Sequence, residues 1–130
     1  MTPNQEKLQK RVFASMASQC NRRGYAAPVD VLIEIGVLRK EKENEWRAGK
    51  IDYLERACMM NLSKLAFIMK QIRLYARDHQ LKPSWTSYHQ SGKKGNNRPL
   101  RFSKSGNEQI ERAYATHYVD QKRIAQLKQK

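Results

Sequence analysis

The stretch Asn61–His79, NLSKLAFIMKQIRLYARDH, decides how the whole chain reads. At 100° per residue it places Leu62, Leu65, Ile68, Met69, Ile72, Tyr75 and Ala76 on one side of a helix. The opposite side carries Ser63, Ala66, Lys70, Arg73 and Arg77, with no carboxylate among them. An apolar side of this breadth requires a core to cover it, so the chain is expected to fold. A side made of small residues and cations can approach a phosphate backbone closely or enter a groove.

Working outward, the apolar periodicity reaches back to Asp52. Read as one helix, the stripe would run Leu54, Cys58, Asn61, Leu65, Ile68, Ile72 and Ala76, with an amide in the middle of the seam. Asn is a preferred N-cap and a poor core residue. The expectation is therefore two helices with a tight turn around Met59-Met60, and Asp52 with Glu55 as a capping-box-like start to the first. Further upstream, Thr2-Pro3-Asn4-Gln5 reads as a capping box with proline at the first helical position. Leu8, Val12, Phe13, Met16 and Cys20 follow at helical spacing, and Gly24 is the stop. A short helix is expected from Pro28 to Gly36. A charged one covers about Lys40 to Ala48, anchored in the core by Trp46.

Downstream of Pro83 the pattern changes. Trp85 to His89 and Leu100 to Ser103 lack a helical stripe, and turn formers and cations separate them from Ser91 to Arg98. This predicts a β-hairpin at about 84–104 with a basic tip, its aromatics Trp85, Tyr88 and Phe102 packing on the helices in preference to the alternative of stacking on unpaired bases. Ser105 to Glu108 reads as a capping box opening a helix with Ile110, Ala113, Tyr114 and His117 or Tyr118 on one face. Residues 1–118 are thus expected to form a single domain of mainly α structure with one β-hairpin (α+β). Residues 119–130 are expected to be a basic, frayed tail.

Charge gives the first indication of a partner. The chain has 26 Lys+Arg against 12 Asp+Glu, a formal net charge of +14. Residues 61–130 hold 15 of the basic and 4 of the acidic side chains. Between Asp78 and Glu108 there is no carboxylate, while Lys82, Lys93, Lys94, Arg98, Arg101 and Lys104 fall in that interval. So one-sided a distribution fits a polyanionic partner. The expected contacts are Lys70, Arg73 and Arg77 on the helix, Lys93, Lys94 and Arg98 at the hairpin tip, and Arg101 and Lys104 beyond it.

Over residues 40–104 the order of helix, turn, basic amphipathic helix and basic-tipped hairpin resembles winged helix-turn-helix domains. The resemblance rests on element order and charge, without a residue-by-residue motif. It implies a recognition helix over Asn61–His79 that enters the major groove and a wing over Ser91–Arg98 on the flanking backbone. The Met59-Met60 connection is shorter than the usual turn of that family, and a continuous helix would break the resemblance.

Other chemistry has little support in the residues. His79, His89 and His117 lack partners at metal-ligand spacing, and Cys20 and Cys58 fit neither a disulfide framework nor a C-x-x-C pair. No phosphate-cradling glycine loop, nucleophile elbow or zinc-protease motif occurs. The expectation is a non-enzymatic, cytoplasmic nucleic-acid-binding protein, without a cofactor, membrane span or small-molecule substrate. Duplex DNA is favoured over structured or ribosomal RNA. The alternative is a small interaction or inhibitor protein, for example phage-encoded, that docks on a nucleic-acid-binding machine through its acidic third helix and Trp46.

Overall fold

The computed structural model describes residues 1–91 and 98–129. Helix α1 (Pro3–Arg23) starts as its sequence predicts: Thr2 Oγ1 accepts from the Gln5 amide, and the Gln5 side chain accepts in return from the Thr2 amide. It ends at Gly24, whose φ of 83° lets its N–H reach the Cys20 carbonyl at 2.8 Å. A two-residue strand, β1 (Tyr25–Ala26), leads into α2 (Pro28–Glu34) and α3 (Lys40–Arg47). The short α4 (Leu54–Ala57) precedes α5 (Leu62–Asp78).

The break between α4 and α5 is present, with Asn61 Oδ1 accepting from the Lys64 amide at 2.9 Å. The connection covers residues 58–61 and so falls within the usual helix-turn-helix length. Asp52, in contrast, caps nothing. The α4 N-cap is Tyr53, and the first amides of α4 donate to the carbonyls of Arg101 (3.1 Å) and Phe102 (2.9 Å).

That bonding also explains a correction to the expected hairpin. Residues 100–103 are the expected second strand, but within that stretch the carbonyls of Arg101 and Phe102 serve α4. Amides of the stretch are taken as well: Glu111 accepts from Phe102 N at 2.9 Å and Ser103 N at 2.6 Å. What remains of the hairpin among the described residues is the bridge between His89 and Pro99, flanked by hydrogen bonds joining Tyr88 to Leu100 and Gln90 to Arg98.

The sheet has three antiparallel strands in the order β1-β3-β2. Strand β2 (Lys82–Trp85) pairs with β3 (Thr116–Val119), not with residues 100–103. The expected helix after Ser105 is correspondingly shorter. Asn107, not Ser105, caps α6 (Glu108–Ala115), and Thr116 Oγ1 donates back to the Arg112 carbonyl where the helix stops. Thr116 and Val119 are β-branched and Tyr118 is aromatic, which suits a strand.

The tail expected to fray instead forms α7 (Gln121–Lys128), docked on the end of α1. Asp120 N donates to the Gly24 carbonyl at 2.8 Å, and Arg123 Nε to that of Asn21 at 2.9 Å. A Cβ at Gly24 would lie 2.3 Å from Ile124 Cγ1, so only glycine allows this approach.

The core lies between α1, α2, α3 and α5. Val12, Met16, Leu32, Trp46, Leu54, Leu65, Ile68 and Ile72 are fully buried. Each large side chain of this kind contributes about 1.5–3 kcal/mol relative to exposure. Trp46 packs on Phe102 at 5.3 Å between ring centroids, and its Nε1 donates to the Arg101 carbonyl at 2.8 Å. It is the expected anchor, and therefore cannot be the exposed contact that the interaction-protein alternative required. Among the described residues, no helix is long and apolar enough to cross a membrane.

Candidate nucleic-acid interface

The two sides of α5 separate as the sequence indicates. Leu65, Ile68, Met69, Ile72 and Ala76 are buried, while Ser63, Ala66, Lys70, Arg73 and Arg77 are exposed. Leu62 departs from the expected apolar side and is 49% exposed. With Ala66, Met69 and Arg73 it lines an open groove of about 890 Å³ between α5 and α6, whose far wall includes Ile110 and Ala113.

Arg73 also lines a second, shallower depression of about 430 Å³, together with Arg77 and, from α6, Arg112. Thr116 and Tyr118 of β3 belong to the same surface. Burial raises the Tyr118 phenol pKa above its ordinary value, and the Arg73 charge partly counters that shift.

Many of the carboxylates are engaged away from these cations. Asp30 pairs with Arg23 and Glu34 with Arg22, both at 2.7 Å. Buried Glu43 holds Lys40 at 2.6 Å and Arg47 at 2.9 Å. Glu55 accepts from the Tyr114 hydroxyl and the Lys104 amide, each at 2.8 Å. Asp120 caps α7. Among the described residues, Lys70, Arg73 and Arg112 form no ion pair, and Arg77 pairs only with its exposed neighbour Asp78 at 3.5 Å.

Arg112 has no obvious signature in the sequence, since it directly follows Glu111 and looks neutralised. Glu111 is in fact turned inward to Phe102 N, Ser103 N and Ser103 Oγ. Those partners lie eight and nine residues upstream, beyond any local pattern.

The other expected contacts are less uniform. Arg101 is a structural brace: its guanidinium donates to the carbonyls of Ser103 and Lys104 and lies 5.3 Å from the Tyr53 ring. Lys104 is exposed and lines the groove between α5 and α6. Exposed Arg98 sits on an arm held to the end of α3, where Ser91 N donates to the Arg47 carbonyl and Gln90 Nε2 to that of Ala48. Lys93 and Lys94 lie outside the described residues.

The aromatics divide differently from expectation. Phe102 is buried and Tyr88 half-buried beside Trp46, but Trp85 is 65% exposed. Burial raises the thiols of Cys20 and Cys58 to about 11 and about 12, which keeps both protonated and unreactive near neutral pH. No family model matches this chain, and neither does any curated protein or solved structure.

Proposed function

We propose that this protein binds nucleic acid, duplex DNA in the first instance, through the exposed side of α5 together with Arg112. The observation that carries the reading is the convergence of Arg73, Arg77 and Arg112 on one depression whose described lining includes no carboxylate, with Lys70 on the same exposed side of α5. Phosphates would supply the missing counter-charges, and Ser63 and Ala66 leave room for the helix to approach a groove. The four-residue connection before α5 supports the likeness to a helix-turn-helix. So does the antiparallel β2–β3 pair that follows, although α6 interrupts the path where a wing would arise.

The test is a gel-shift series on duplex DNA, single strands and structured RNA. Lys70→Ala, Arg73→Ala and Arg112→Ala should each weaken binding by about 1–2 kcal/mol. As exposed changes, they should move stability by less than about 0.5 kcal/mol. Absence of binding at low salt would overturn the reading.

One observation favours a second reading, a protein that docks on a nucleic-acid-binding machine. The groove between α5 and α6 exposes Leu62 at 49% and Ile110 at 41%, an apolar pair suited to a protein partner. In that case no shift would occur until the target protein was added.

A further inference from the structure

Pleat alternation fixes which side chains of the sheet share a face. Pro83 pairs with Tyr118 and Trp85 with Thr116, so these four project to one side. Ser84 and His117 project to the other, where His117 stacks on Tyr25 at 5.4 Å. The Pro83–Trp85 side is the one that meets the arginines. Pro83, Thr116 and Tyr118 line the depression shared by Arg73, Arg77 and Arg112. Arg112 in turn lines the adjoining hollow of about 270 Å³ with Trp85 and Thr86, whose lining also includes the exposed Glu108 and the inward-turned Glu111. A continuous surface therefore runs from the α5 arginines across Arg112 to the Trp85 indole.

Trp85 joins the sheet through its backbone, while its side chain is 65% exposed. Among the described residues it makes no ring stacking, cation–π contact or side-chain hydrogen bond, whereas Trp46 has several such partners. A large apolar ring left in water on an edge strand is unfavourable unless something covers it. A partner strand fits poorly, because Pro83 lacks the N–H that an added ladder would use. A base fits well, since every base has a flat π-face. A paired base within a duplex already has both faces stacked, so the base in question must be unpaired. Three arginines spread over two hollows suit successive phosphates of one strand better than a single phosphate.

We infer that Trp85 is a stacking platform for an unpaired base whose flanking phosphates lie on Arg112, Arg73 and Arg77. The preferred ligand is then a duplex that continues into a single strand. This rests on the nucleic-acid reading and specifies the form of ligand that the surface selects.

The two tryptophans make the test direct, because Trp46 is fully buried and Trp85 is open to a soluble quencher such as acrylamide. The native protein is titrated with a blunt DNA duplex, with the same duplex carrying a thymidine overhang, and with its counterpart carrying an RNA overhang. The overhang should change Trp85 emission and shield it from acrylamide, and it should bind roughly 5- to 100-fold tighter than the blunt duplex. The two overhangs separate DNA from RNA as the source of the unpaired base.

Trp85→Ala should bind the overhang only as well as the blunt duplex, and Trp85→Phe should keep part of the preference. Both variants should unfold at the native temperature, because the side chain is exposed. Equal affinity for blunt and overhang duplexes with unaltered Trp85 quenching overturns the stacking role and leaves nucleic-acid binding standing. Failure to bind any of the three ligands overturns both.

Discussion

His117 lies in β3 with its ring against Tyr25 and its Nε2 2.8 Å from the Tyr88 hydroxyl. Burial lowers its pKa below the ordinary value of 6.5, with Asp30 acting in the opposite sense and the Arg23 and Arg47 charges adding to the lowering. The same burial raises the Tyr88 phenol to about 12, so the pair is neutral on neutral under ordinary conditions. In the unfolded chain the imidazole protonates near pH 6.5, while in the folded chain it does so only at lower pH. Between those two values the unfolded state binds more protons, so stability rises with pH. This contribution is complete above about pH 6.5 and is lost as pH falls through the folded value. Denaturation midpoints should therefore drop between pH 7.5 and 5.5, and His117→Gln should flatten that drop. An equally steep drop in the variant would assign the effect to another group.

At the scale of elements, α5 is a helix whose start and sidedness both come from local residues. Asn61→Ala should cost about 1 kcal/mol through loss of the cap. Ile68→Ala should cost about 2–5 kcal/mol as a buried large-to-small change, and thermal unfolding of both variants checks the order. A smaller loss at Ile68 than at Asn61 would mean that the apolar side of α5 is misplaced. These features were legible in the sequence because a cap and a 3.6-residue stripe are complete within one segment. The capping box at Thr2, the Gly24 stop and the Trp46 anchor were legible for the same reason. Residues 100–103 were not. They alternate like a strand, yet their partners are the start of α4 and the Glu111 carboxylate, both remote in sequence. The pairing of β2 with β3 joins Trp85 to Thr116 across a segment that includes α6, and nothing local signals it. For the candidate site, the α5 cations could be read from spacing. Arg112 and the exposure of Trp85 depend on which side chains the tertiary fold had already engaged.

For the molecule as a whole, the placement of charge sets how binding responds to salt. On the proposed reading, Lys70, Arg73, Arg77 and Arg112 would supply about four phosphate contacts. Log K should then fall linearly with log[salt] with a slope of roughly −3.6, at about −0.9 per contact on B-DNA. The Lys70→Ala/Arg73→Ala/Arg77→Ala triple variant should make that slope shallower by about 2–3 units. Fluorescence anisotropy across a salt series measures both. A native slope shallower than about −1.5 would show that phosphate neutralisation is not the source of affinity.

The central strand of the sheet is also the last to be synthesised. Among the described residues, β1 at Tyr25–Ala26 and β2 at Lys82–Trp85 pair only with β3, which lies at Thr116–Val119. While the ribosome is still translating the segment before Thr116, α1 and α5 can already meet, but both outer strands lack their hydrogen-bond partner. The nascent chain thus carries two unpaired outer strands until Thr116–Val119 emerges, and such strands invite pairing with other chains. A transcript cut short before Val119 would release this unfinished state permanently. Ribosome pausing between β2 and β3 would prolong it, which makes that interval of translation one of raised exposure to aggregation.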